Sequence, residues 1–166
     1  MEQKKLLIIT YYFPPAGGPG VQRWLKFVKY LPEFDVQPIV YVPENPTYPI
    51  VDEGLVSEIS DKVIVLKNKI WEPYQLASVF SKNKTKKISS GIFPQKKKQT
   101  FLDKTFLWVR GNLFIPDARV FWVKPSVSYL EKYIQENNID TIVTSGPPHS
   151  LHLIGLELQQ KLKVKW

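Results

Sequence analysis

The 166-residue chain contains no cysteine, so neither disulfides nor thiolate metal sites can hold it together. Long apolar runs are missing too, the longest being far short of the roughly 18 to 20 residues that a transmembrane helix needs. Its first ten residues, MEQKKLLIIT, pass from charge straight into a short apolar stretch with no small-residue cleavage site, unlike a secretory signal. A soluble, cytoplasmic protein is the expectation. Acids are scarce where bases collect: residues 82–104 hold eight lysines against one acid, Asp103, a net +7 of the chain's +8. The rest is close to neutral, which argues against a fold whose whole face is basic and binds nucleic acid.

What is present suffices for one sizeable core, since 43% of the residues are hydrophobic. Leu6 to Thr10 is apolar without alternation, as a strand covered on both faces of a parallel sheet reads. Tyr11 to Gly20 packs three prolines and three glycines into ten residues, which forbids regular structure and demands a tight loop. Val21, Trp24, Leu25, Val28 and Leu31 then recur at helical spacing up to Pro32, and Val36 to Val42 is a second strand. Strand, helix and strand in this order form a βαβ unit with a right-handed crossover.

Farther on, Lys62 to Leu66 predicts a third strand, residues 70–100 an aperiodic basic insertion, and Phe101 to Phe114 a helix. An amphipathic helix between Pro125 and Asn138 leads to a strand at Ile139 to Thr144 and a helix over Leu151 to Leu162. Val164 to Trp166 begin another strand, so the chain is expected to stop inside an element, with a C-terminal half beyond it. The predicted fold is α/β: a Rossmann-like three-layer domain with a parallel sheet, spanning residues 1–166.

In such sheets ligands bind beyond the carboxyl ends of the strands, here the loops after Thr10 and after Thr144. The first brings Gly17, Gly18 and Gly20 to a helix N-terminus, where amide groups and the dipole favour phosphate. A sharp strand-to-helix turn needs glycines as well. Gly18-x-Gly20 also begins a nicotinamide-cofactor fingerprint, with Glu44 near the position of a ribose-binding acid, but Arg23 stands at the third glycine position. A P-loop is excluded because no Gly-Lys-Ser or Gly-Lys-Thr follows the turn. The second loop, Ser145-Gly-Pro-Pro-His-Ser150, sets His149 beside two hydroxyls. His149 can bond a sugar hydroxyl, or Ser145 or Ser150 can cap the helix and leave His149 as a surface residue. His149 and His152, three apart, lack further ligands, so no metal and no cofactor is implied. No pair of acids stands out for glycoside hydrolysis.

The basic segment, with Lys82, Lys84, Lys86, Lys87, Lys96, Lys97 and Lys98 followed by Phe106 and Trp108, reads either as a surface resting on an anionic membrane or as a solvated loop. A non-catalytic basic module binding membrane or nucleic acid is therefore one alternative, and an NAD(P)-dependent oxidoreductase domain another.

The strand followed by Tyr12-Phe13-Pro14-Pro15-Ala16-Gly17-Gly18 and a helix resembles the N-terminal domain of family 4 glycosyltransferases. The stretch from Asn112 to Arg119 with Trp122, and Thr144 to Ser150, are similar to a bacterial subgroup of these enzymes. The resemblance implies half of a GT-B architecture, with the acceptor held mainly by this domain and the nucleotide sugar mainly by a C-terminal one. It further implies retention of anomeric configuration without a metal, and a place near the donor diphosphate for Gly17 and Gly18, in agreement with the phosphate reading of Gly17, Gly18 and Gly20. Arg23, Ser145, His149 and Ser150 become the candidates for acceptor binding. The implied reaction moves a sugar from a nucleotide-sugar donor to a glycan or lipid-linked cell-envelope acceptor in polysaccharide biosynthesis, at the inner face of the membrane. The catalytic residues are not assigned by it, and the donor motif belongs to the other domain, so these residues by themselves are expected to be inactive.

Overall fold

The computed structural model describes residues 3–71 and 114–166. Most of the basic insertion, including all seven named lysines, lies outside the described residues, as do residues 101–113 of the helix expected over Phe101 to Phe114, among them the motif residues Asn112 and Leu113.

The chain folds as a Rossmann-like α/β unit, a four-stranded all-parallel sheet flanked by helices. Its strands are β1 (Lys4–Thr10), β2 (Val36–Pro43), β3 (Ile64–Asn68) and β4 (Thr141–Ser145), in the order β3-β2-β1-β4. Central β1 pairs with β2 from Lys4↔Val36 to Ile9↔Tyr41, and with β4 from Leu6↔Thr141 to Thr10↔Ser145. Leu7, Ile8 and Ile9 are fully buried because layers cover both faces; each such side chain contributes about 1.5–3 kcal/mol of burial.

Alternation along the strands divides the core in two. Ile8, Val40 and Val42 face α1 (Pro19–Tyr30), which buries Val21, Leu25 and Val28. Leu7, Ile9, Ile39 and Ile142 face α2 (Val123–Glu136) and α3 (Ser150–Leu162), which bury Val127, Leu130 and Ile134, and Leu151, Ile154 and Leu158. In this second layer Tyr41 stacks on Trp122 at 5.1 Å and donates to Ser126 Oγ at 2.8 Å. Burial pushes its pKa up to about 12.

Several element boundaries differ from the sequence expectation. Helix α1 starts two residues early, with Pro19 in its first turn, and passes into a 3-10 turn over Leu31–Phe34, where Pro32 cannot supply the next amide. Strand β3 begins at Ile64 because Val63 is used in a turn, its amide donating to Ser60 O. Helix α2 begins before Pro125, which fits its first turn since that amide needs no intrahelical partner. The strand expected at Val164 to Trp166 is present as a single parallel bridge, Thr141↔Lys165, on the outer side of β4. Gly155 lets this segment approach α3: a Cβ there would lie 2.6 Å from Trp166 Nε1 and 2.7 Å from Thr144 Cγ2. Among the described residues no helix is long and apolar enough to cross a membrane.

Candidate functional site

The chain progresses outward from β1 to β2 and β3, then returns to lay β4 on the other side of β1. At such a reversal the loops leaving the two adjacent strands part to opposite faces and open a crevice at the carboxyl edge. Thr10 pairs with Ser145 at that edge, so the glycine loop and the Ser145–Ser150 loop are its two sides. A tie crosses it: Trp24 Nε1 of α1 donates to Ser145 Oγ.

The three glycines of the first loop have different reasons to be glycine. The segment after β2 straps the loop down, with an antiparallel bridge Ala16↔Val51, Gly17 N donating to Ile50 O at 3.0 Å and Asp52 N to Pro15 O at 2.8 Å. A Cβ on Gly17 would meet Ile50 Cγ2 at 2.9 Å, so the strap accounts for that glycine. Gly18 has φ +111°, a conformation that side chains disfavour. Gly20 is exposed in the first turn of α1, has no positive φ, and a Cβ there would meet nothing within 4 Å. The fold therefore places no demand on Gly20.

The two helix N-termini at the crevice differ in the same way. That of α1 has Gly18 as its cap, no side-chain capping bond and no acid in its first turn. Val21 N and Gln22 N turn back to Gly18 O, and Pro19 has no N–H, so that among the described residues no backbone carbonyl accepts from the Gly20 amide. That of α3 is occupied. Asp117, arriving from the segment before α2, accepts from Ser150 N at 2.9 Å and Ser150 Oγ at 2.7 Å, and also from Arg119 N at 2.9 Å. The expectation that Ser145 or Ser150 caps α3 is corrected by this: neither does, because a carboxylate from outside the helix fills the position. A negative charge is a better match than a hydroxyl for a helix N-terminus.

The remaining predicted residues divide clearly. Gly17, Gly18 and Gly20 lie on the loop and helix start that follow β1 and Ser145 at the end of β4, with Ser145 accepting from Trp24 of α1 across the two. His149 is exposed at the start of α3, its ring 5.9 Å from that of His152. Ser150 is buried and committed to Asp117. Arg23 is exposed on α1, one residue before Trp24. His152 turns inward, its Nδ1 2.9 Å from Thr144 Oγ1, which also accepts from Trp166 Nε1 at 2.9 Å. Among the described residues no three His, Asp or Glu gather as a metal-binding set. Glu44 stands exposed just past β2, its amide donating to Asn68 O at 2.8 Å.

Sequence reasoning missed several neighbours. Tyr48 donates to Tyr11 O at 3.1 Å and sets its ring against those of Tyr11 and Tyr12 at 5.7 and 5.9 Å. The guanidinium of Arg119 lies 5.0 Å from the centre of the Tyr11 ring, within cation–π range. A run of two tyrosines at the end of an apolar strand was the only local signal.

A groove also lies at the opposite, amino edge of the sheet, lined by Lys4, Lys5, Leu6, Leu31, Asp140 and Lys165. Lys5 Nζ is spent on Asn137 O at 2.7 Å, and Lys165 Nζ lies 3.8 Å from the Asp140 carboxylate. The strand ends and open helix terminus that suit a ligand are on the other edge, and the site is assigned there. No protein-family model, curated protein or solved structure matches the chain, so its functional reading rests on the crevice itself.

Proposed function

We propose that this chain is the acceptor-side half of a retaining GT-B glycosyltransferase, transferring a sugar from a nucleotide-sugar donor to a glycan or lipid-linked cell-envelope acceptor. The observation that carries the reading is the open N-terminus of α1 at the β1/β4 crevice, with Gly20 in its first turn. Backbone amides and the helix dipole there suit a diphosphate, and a glycine that the fold does not require allows close approach. The similarity of the Tyr12–Gly18 and Thr144–Ser150 stretches to family 4 enzymes supplies the reaction class.

In this reading the α1 terminus faces the donor diphosphate, while most groups that grip the nucleotide come from a second domain. His149 is the residue of the other loop that is exposed and able to bond a sugar hydroxyl. Arg23, one helical turn beyond Gly20, is a second group available to an anionic acceptor. Ser145 serves by holding Trp24, and Ser150 by anchoring α3 to Asp117.

Protein made from the complete reading frame, incubated with radiolabelled nucleotide sugars and a membrane extract, should move label into a glycan or lipid fraction. If no nucleotide sugar gives transfer, and the reading frame encodes no second βα domain with an acidic donor motif, the proposal fails. Glu44, exposed beyond β2, keeps a nicotinamide cofactor as the rival; calorimetric titration with NAD and NADP separates the two, since heat on titration would favour the rival.

A further inference from the structure

Helix α1 carries two rows of large side chains. Val21, Leu25 and Val28 are buried against the sheet. A second row, Arg23, Phe27, Tyr30 and Phe34, recurs at spacings of four, three and four and runs from the helix into the 3-10 turn that follows it. This row is open to water: Phe27 is 55% exposed, Tyr30 49% and Phe34 75%. A surface helix needs one apolar stripe to hold it on a core, and the first row already does so. Phe27 is also backed by an anchored neighbour, since Trp24 packs edge-to-face on it at 5.7 Å while its indole N–H is held by Ser145.

Adjacent large apolar side chains left open on a surface mark a place that is covered in use. The residue types suit the centre of a protein interface, where aromatics and arginine are enriched and lysine and glutamate depleted. Lys26 and Glu58, paired at 2.6 Å, stand beside the row and not in it. Charge decides what covers it. Arg23 stands at one end, Glu33 and Asp35 at the other, and among the described residues none of the three has an ion pair. Such a row gains little from a uniformly anionic surface, whether lipid or nucleic acid, but it is complementary to its own reverse.

We propose that the exposed face of α1 is the contact of a two-fold dimer of this chain. An axis crossing α1 between Val28 and Lys29 sets Phe27 against the partner's Tyr30, and Arg23 against the partner's Phe34 and the partner's Glu33. Every pairing is repeated by the symmetry, which closes the assembly at two copies. A guanidinium over a phenyl ring and beside a carboxylate is favourable on both counts. Three half-exposed aromatics, each able to bury roughly 150–250 Å², fall short of the roughly 800 Å² per partner of a standard interface. The dimer is therefore weak and reversible, with a dissociation constant in the micromolar range. The proposal stands whether or not the protein transfers sugars; in the dimer Arg23 is engaged by the partner, which leaves His149 as the exposed crevice group for an acceptor.

Sedimentation velocity of the full chain from about 1 to 200 µM should show a passage from monomer to dimer and no larger species. Phe27→Glu should raise the dissociation constant about tenfold or more and leave cooperative thermal unfolding in place. Arg23→Glu should weaken the dimer by about tenfold through repulsion from the partner's Glu33, and the double variant Arg23→Glu/Glu33→Arg should return to within about threefold of the parent. The proposal is overturned by a chain that stays monomeric throughout, by association that continues past the dimer, by dimers that Phe27→Glu leaves intact, or by a charge swap that rescues nothing. It is equally overturned if Phe27→Glu loses cooperative unfolding, which would mean that the chain covers the row itself. Anionic vesicles that bind the parent and not Phe27→Glu would assign the row to lipid instead.

Discussion

Replacing Asp117 by alanine removes three hydrogen bonds to one carboxylate, from Ser150 N, Ser150 Oγ and Arg119 N. Loss of a helix cap costs about 1 kcal/mol, loss of the charge at the helix terminus about 0.5, and the buried Ser150 hydroxyl left without its acceptor about 1–2 more. The sum is about 3 kcal/mol, and in a domain of this size each kcal/mol moves the melting temperature by roughly 2–4 °C. Asp117→Ala should therefore melt roughly 6–12 °C below the parent in a thermal scan followed by circular dichroism at neutral pH. Asp117→Asn keeps one acceptor oxygen but turns an amide toward the other donors, and should fall between the two. If Asp117→Ala melts within about 1 °C of the parent, the carboxylate does not hold α3 and the account of the occupied helix terminus is wrong.

Gly20→Ala separates fold from ligand: with open space around the new methyl and better helix propensity it should leave stability unchanged or raise it by up to about 1 kcal/mol, while weakening the binding of diphosphate or a nucleotide sugar in a titration. Unaltered ligand binding in that variant would remove Gly20 from the site. Gly18→Ala forces an alanine to φ +111° and should cost about 1–3 kcal/mol in urea unfolding; a neutral result would mean that the loop has another conformation. Gly155→Ala pushes a methyl against Thr144 and Trp166 and should cost about 1–3 kcal/mol despite the helix gain, as a lower urea midpoint would show. Tyr41 has a folded pKa of about 12 against about 10 unfolded, so its stabilising preference for the neutral form is complete below pH 10 and lost as pH climbs from 10 to 12. Urea midpoints across that window should decline less steeply for Tyr41→Phe than for the parent, and identical slopes would exonerate Tyr41.

The sheet and the loops after β1 and β4 were legible because their signals are local. Continuous apolar runs such as Leu6–Thr10 mark strands buried on both faces, and Pro-Gly clusters mark where they end. Boundaries slipped where a residue served a purpose that periodicity does not show: Val63 is apolar but spent in a turn, and Pro125 sits inside a helix rather than before it. For the candidate site, the loops that frame it were legible and their contacts were not. Asp117 reaches Ser150 across 33 residues, and Gly17 is pinned by Ile50 from beyond β2; neither pairing leaves a mark on the sequence around either partner. Trp71 and Phe121, whose rings pack edge-to-face at 4.9 Å, are likewise 50 positions apart and meet only once the chain is folded.

The strap across Ala16 and Gly17 decides what kind of receptor the glycine loop would be under the proposed reading. Pinned by Ile50 and Asp52, it would meet the proposed phosphate as a fixed cradle rather than as a flap, its ordering completed when the domain folded, so that this cost would not recur on binding. Control over affinity then passes to residues that never meet the ligand. A change of length or sequence between Glu44 and Asp52 would tilt that cradle from behind, which makes this connection, rather than the glycines, the place from which the affinity of the proposed site would be tuned.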